Sequence, residues 1–333
     1  MMNRHIVSIS GGKTMKRIAS FFLGLAFAGL ACAAGLDDFK QLKLPDGARA
    51  EAGKGQLSVL FMGVTTLLFD DGETAIMTDG YFSRPTSETI RTKRIAPDAA
   101  RISQSLQRAG VKSLAAVIAL HGHFDHAMDS PRVAQETGAL LVGSSSIANI
   151  GRGYGLAEAA MRVVNNGETL SFGKFKVTFV TSAHLPADFA LGDITSPVKL
   201  PASVLDYKVG EALTLLIEHE GRTILVQGSA GYVPGALNGK KADVVYLGIG
   251  GLAPKDEAYQ DTYWRENVQT VAARRVIPTH WDNFHLPLDV ALVPSPGFDR
   301  AMNGLIERGK KDKVEVRLQP EWVWIDPFTG LAR

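Results

Sequence analysis

Cysteine is nearly absent: Cys32 is the only one in 333 residues. The chain beyond it therefore has no internal disulfide, and no thiolate to act as nucleophile or metal ligand. An excess of one charge is missing too. Lys and Arg number 36 against 34 Asp and Glu, a net charge of +2, so composition gives no reason to expect a nucleic-acid partner or an acidic tail. Long apolar runs are missing after the N-terminus, so no membrane span is expected in the mature chain. The N-terminus itself is an address. Met15-Lys16-Arg17 precedes an apolar stretch over 18–30 and then Ala31-Cys32-Ala33-Ala34. A basic start, a short apolar run and a small-residue cleavage site make a secretory signal peptide. Residues 1–33 are thus expected to be removed, with Met15 as an alternative start, and the protein to be exported, in the periplasm. Gly29-Leu30-Ala31-Cys32 loosely resembles a lipoprotein box, with Gly29 where Leu is usual. A lipid anchor through Cys32 is therefore the alternative to a soluble product.

What is present is concentrated in one stretch, His121-Gly122-His123-Phe124-Asp125-His126. It follows an apolar run over 114–120 that reads as a fully buried strand. His121 and His123 lie two apart, so an extended backbone points both rings to one side. Asp125 and His126 follow as the chain turns and can aim a second ligand set. Neutral imidazoles and a carboxylate suit zinc and similar divalent ions.

The rest of the chain alternates strands and helices. Residues 34–55 are polar and Gly-rich and read as a linker. Residues 57–69 are apolar and β-branched, Asp70-Asp71-Gly72 is a turn signal, and 74–78 returns as a strand ending at Asp79-Gly80. Residues 84–97 are basic and aperiodic, a loop over a site mouth. Residues 98–109 form a helix with Asp98 as N-cap and Gly110 as stop, and Ser130-Pro131 opens another. The segment 144–155 is rich in Ser and Gly, and 156–163 reads as a short helix. A half-exposed strand over 172–180 leads to His184. Residues 185–210 read as a long loop that shapes a pocket. A hairpin over 212–227 ends at Gly228-Ser229, and a short strand at 276–277 leads to Pro278-Thr279-His280-Trp281-Asp282.

His-x-His-x-Asp-His at a buried strand end resembles the signature of the metallo-β-lactamase superfamily. Pro278-Thr279-His280 followed by an aromatic resembles its branch of ascorbate-phosphate lactonases and uncharacterised metal-dependent hydrolases. The resemblance covers roughly residues 57–320. It implies a four-layer αββα sandwich, with two mixed sheets face to face and helices outside, for a catalytic domain over 56–333. It also implies that His184 completes a first metal site with His121 and His123. His280 completes a second with Asp125 and His126. Asp79 takes the place of an aspartate that holds a ligand histidine, although a plain turn aspartate before Gly80 reads equally well. Asp282 and His285 are further pocket or supporting candidates. One position departs from the family pattern: Ser229 stands where an aspartate bridges two metals. A hydroxyl brings no charge to offset the repulsion between two ions, so a full two-metal site is in doubt.

The expected function is a metal-dependent hydrolase that takes zinc, one ion or two, with manganese or iron as alternatives. Hydroxide activated by the metal would attack an ester, lactone, lactam or amide carbonyl of a small-molecule substrate, with Asp125 orienting the water and moving its proton. A phosphodiesterase of the same fold is one alternative, with Arg84, Arg91, Lys93 and Arg94 as phosphate ligands. A non-catalytic metal-binding relic, impaired at Ser229, is another. Gly228-Ser229-Ala230-Gly231 lacks the full nucleophile-elbow pattern, which argues against a serine hydrolase. Substrate and oligomeric state are not written in any motif.

Overall fold

In the computed structural model, residues 32–186 and 189–332 are described. The expected signal peptide and its processing positions lie outside these residues, apart from the backbone at 32–33. The strands in chain order are β1 Ser58–Phe61, β2 Leu67–Asp70, β3 Ala75–Thr78, β4 Ala116–Ile118, β5 Leu140–Gly143, β6 Met161–Val163, β7 Thr169–Phe172, β8 Phe175–Ser182, β9 Ala212–His219, β10 Arg222–Gln227, β11 Val244–Gly248, β12 Arg275–Thr279, β13 Glu315–Val316 and β14 Trp324–Ile325. The helices are α1 Cys32–Asp37, α2 Ser87–Thr92, α3 Ala99–Arg108, α4 Phe124–Ala127, α5 Ser130–Thr137, α6 Ser145–Tyr154, α7 Glu257–Trp264 and α8 Phe298–Asp312.

Two seven-stranded sheets form, in the orders β14-β1-β2-β3-β4-β5-β6 and β13-β12-β11-β10-β9-β8-β7. Both are mixed. Hairpins begin each sheet, and parallel strands follow from β3 to β6 and from β10 to β13. The central strands are buried along their whole length, as a strand covered on both faces must be. The inner faces meet at aromatic contacts such as Phe69 on β2 against Tyr246 on β11, edge to face at 6.1 Å. Helices α5 and α6 lie against the first sheet, and α8 against β13 of the second. This is the four-layer αββα sandwich expected from the sequence. No helix among the described residues is long and apolar enough to cross a membrane.

Strand register decides where the chain ends of the two sheets emerge. Thr78 on β3 pairs with Ile118 on β4, so Asp79 and the turn after 118 leave the same edge. Gly248 on β11 pairs with Thr279 on β12. The parallel ends of both sheets thus open onto one rim.

Several segments differ from expectation. The apolar stretch 57–69 is two strands, broken by a turn in which Gly63 and Val64 both take positive φ. The apolar pattern hides this turn because its residues are buried too. The Ser/Gly-rich segment 144–155 is the helix α6, which buries Ile147, Ala148, Ile150 and Gly151. A Cβ at Gly151 would press on Met161 and Leu141, so that glycine serves close packing. Residues 158–160 make one helical turn, and 161–163 join the sheet edge as β6. Pairing with β5 overrides the local helical preference there. Residues 34–55 do not hang free. Phe39 packs edge to face on Phe298 at 5.5 Å, and Leu44 N donates to Leu318 O at 2.8 Å. Both side chains are buried, which a polar, Gly-rich composition conceals.

Candidate metal centre

Strand ends from both sheets converge on the rim. Strand β3 delivers Asp79, and β4 delivers the turn 119–126. Strands β8, β10 and β12 deliver His184, Ser229 and His280. Hydrogen bonds within the protein fix the turn. Leu120 N donates to Asp79 Oδ1 at 2.9 Å, and Gly122 N to Val209 O at 2.8 Å. Gly122 has to be glycine, because a Cβ would overlap the carbonyl of Lys208. His123 then caps the single turn of α4, which places Asp125 and His126.

Two groups of three donors result. His121, His123 and His184 each offer a ring nitrogen, and Asp125, His126 and His280 offer a carboxylate oxygen and two ring nitrogens; in each group these atoms lie within 4.8 Å of one another. Ring centres are 5.0 Å apart for His121–His123 and 4.5 Å for His123–His184. In the second group Asp125 Oδ2 is 3.3 Å from His280 Nε2 and 3.7 Å from His126 Nε2. The groups adjoin, with the His121 and His126 rings 3.9 Å apart. Each group takes two donors from the 121–126 turn and one from the second sheet.

The donors fit a divalent ion. His121 Nε2, His123 Nε2 and His126 Nε2 are buried and have no hydrogen-bond partner among the described residues. Buried polar atoms are nearly always partnered, so three orphans in one place ask for a cation. The opposite ring nitrogens are engaged where that favours metal binding. His126 Nδ1 donates to Asp79 Oδ2 at 2.7 Å, and His184 Nδ1 to Leu185 O at 2.7 Å. Such partners fix the tautomer and leave Nε2 its lone pair.

Protonation divides the groups. Burial, reinforced by neighbouring histidines, pulls His121 well below its ordinary value. Burial first and then His123 bring His184 down to about 3. Burial also lowers His126, but the Asp79 and Asp125 carboxylates outweigh it and leave that ring raised. Burial works to raise Asp125, yet His126 and His280 hold it well below the usual carboxylate range.

The remaining sequence candidates brace the centre or lie apart from it. Ser229 is buried, and its hydroxyl accepts from Leu185 N at 3.0 Å, so it supports the loop that carries His184. Asp282 lies outside both groups. Its Oδ1 accepts from Val64 N at 2.7 Å, and its Oδ2 pairs with Arg84 at 2.7 Å. His285 Nδ1 donates to Pro85 O at 3.0 Å. Of the candidate phosphate ligands on the loop expected over the site mouth, Arg84 is fully buried, while Arg94 is exposed and pairs with Asp206. Sequence reading missed Asp129, which takes Phe82 N, Ser83 N and Ser83 Oγ at 2.6–2.7 Å. It also missed Phe189 beside His123 and Phe284 beside His280, at 5.8 and 5.5 Å. Phe189 and Phe284 lie on long loops without a period, and Asp129 stands in the short link between α4 and α5, where its long-range partners leave no local signal.

A family model described as a β-lactamase superfamily domain matches residues 74–281. The chain belongs to the metallo-β-lactamase superfamily. Among relatives of this superfamily member is a UPF0173 metal-dependent hydrolase of Myxococcus xanthus, 28% identical over 269 residues, or 79% of this chain and 83% of that protein. Another, from Chloroflexus aurantiacus, is 27% identical over 176 residues, 52% of this chain and 66% of the relative. The fold is shared with a solved structure from Veillonella parvula described as a possible metal-dependent hydrolase. It has 13% identity and a TM-score of 0.50, over 81% of this chain and 99% of that one.

Proposed function

We propose that the chain is an exported, periplasmic metal-dependent hydrolase for a small uncharged ester, lactone, lactam or amide. Zinc is the resident ion in this reading, with manganese or iron as alternatives. The observation that carries it is the set of three buried, unpartnered imidazole nitrogens within two adjoining donor groups. The metal-dependent hydrolases among its relatives agree with it. His121, His123 and His184 would hold one ion, and Asp125, His126 and His280 a second. A bound divalent ion acidifies water towards neutrality and acts as a Lewis acid on the scissile group. Asp125 stays ionised at neutral pH, accepts the proton of the attacking water and returns it to the leaving group. Asp79 holds the His126 ring in place, and Leu185 O does so for His184.

The surroundings favour a carbonyl over a phosphodiester substrate. Phe189 and Phe284, both half-buried, flank the two donor groups and suit apolar substituents. Arg84, a cation close to the rim, is already neutralised by Asp282. Ser229 favours a second reading, a metal-binding relic, because the hydroxyl at that position is occupied by Leu185 N. The test is metal analysis of chain purified without chelator, then turnover of ester, lactone, β-lactam and phosphodiester substrates, with His123→Ala as control. Bound metal and carbonyl turnover, both lost in His123→Ala, are expected. Metal without turnover would favour the relic, phosphodiester turnover the alternative chemistry, and an absence of tightly bound metal would overturn the reading.

A further inference from the structure

We infer that the buried Arg84–Asp282 ion pair is a positioning device for His280, holding the Asp125–His126–His280 group in binding geometry without a bridging carboxylate. The inference rests on the proposal that this group takes an ion.

The connections run through a closed circuit. His280 N donates to Val64 O at 2.7 Å, and Val64 N donates to Asp282 Oδ1 at 2.7 Å. The Gly63–Val64 turn is thus clamped between the ligand and the residue two positions beyond it. Asp282 Oδ2 lies 2.7 Å from Arg84 Nη2, and both side chains are fully excluded from solvent. The two atoms are close but not aligned for a hydrogen bond, so attraction between the charges is the main tie. A Cβ at Gly63 would overlap the guanidinium, so glycine makes room for the pair. From Arg84 the chain runs back through Ser83 and Phe82, both held by Asp129, to Asp79, which orients His126. Arg101 Nη1 donates to Ser83 O at 2.8 Å and pins that segment from α3. Both histidines of the second group are therefore tied to one short segment, 79–84.

Backbone strain follows the same circuit. Nine non-glycine residues among those described have positive φ, and four of them are Val64, Asp79, Arg84 and His280, at 50°, 56°, 44° and 55°. A β-branched residue in this region is an outlier, held only where its surroundings over-determine it. The ion pair is the buried tie that joins the two halves of the circuit. Stability does not account for it, since apolar groups of similar volume often replace a buried pair without loss. Among the described residues the first group has no such buried ion pair behind it. His184 leans on its neighbour's carbonyl and on Ser229 through Leu185 N.

Titration of the metal-free full chain with zinc, and with cobalt(II) to read the absorption of each site, tests the inference. Asp282→Asn keeps the shape and an oxygen for Val64 N while removing the charge. It is expected to weaken the second ion by about 10–100-fold, leaving the first within about twofold. Binding of the second ion at wild-type strength overturns the inference, as does equal weakening of both ions. If Asp282→Asn does not fold, the paired change Arg84→Met with Asp282→Leu takes its place. Folding with a weakened second ion supports the inference, and folding with an unchanged second ion overturns it. A wild-type chain that never takes a second ion fails the two-ion reading, and the inference with it, before any variant is made.

Discussion

His121, His123 and His184 are three rings kept neutral by burial, with His184 supported by backbone and a serine hydroxyl. Asp125, His126 and His280 include a carboxylate, and a second carboxylate, Asp79, braces them. Both groups grow from one six-residue turn, yet they would hold a cation in different ways. The first relies on desolvated lone pairs that no proton contests near neutral pH. The second supplies negative charge, and that same charge makes His126 attract a proton. Two sites a few ångströms apart should therefore differ in affinity, in pH response and in sensitivity to their surroundings.

Four measurements sharpen or break this contrast. The largest effect is expected at Asp125, which belongs to the second group and, in the proposed reaction, also moves the proton. Asp125→Asn should lower kcat by about 10²–10⁴-fold in steady-state assays, with the first ion retained. Next comes Asp79→Asn. Loss of the carboxylate behind His126 should weaken the second ion by about 10–100-fold in a metal titration, and the first by less. If both fall equally, Asp79 acts on the whole turn through Leu120 N rather than on one group. Third is pH. A raised His126 means that an ion must displace a proton, so second-ion affinity should fall by up to about tenfold from pH 8 to pH 7. The lowered rings of His121 and His184 carry no proton there, so the first ion should be nearly unaffected, as calorimetry in buffers of different ionisation enthalpy will show. The smallest effect is at Ser229. Ser229→Ala removes one hydrogen bond to the His184 loop, worth about 1 kcal/mol, so the first ion should weaken by about fivefold and the second not at all. The opposite pattern would place Ser229 functionally in the second group, where the superfamily's aspartate stands.

The sequence made the first half of the centre legible and concealed much of the second. His121, His123, Asp125 and His126 share a turn after a buried strand, so short-range spacing was enough to single them out. The caps of α3 were legible for the same reason: Asp98 accepts from Ala100 N and Arg101 N, and Gly110 follows the helix with φ of 67°. His184 and His280 were reached only through the family pattern. Their place on the rim depends on the pairing of β8 and β12 with strands far away in the chain. The Arg84–Asp282 pair left no trace at all. Arg84 sits in a basic, aperiodic stretch that reads as a loop over the site mouth, and its partner lies on another sheet's loop. The Gly63–Val64 turn was hidden by the apolar residues around it, since burial and turning produce the same composition there. The helix α6 was masked by glycines whose purpose is close packing rather than chain reversal.

Each donor group draws its third member from the opposite sheet, and this has a mechanical meaning. A cation seated in either group acts as a rivet through the seam where the two halves of the sandwich meet. Pulling the layers apart and emptying the centre then become a single event. Ion loading should raise resistance to shear and heat across the entire molecule, and neither half expressed alone would keep a grip on the ion.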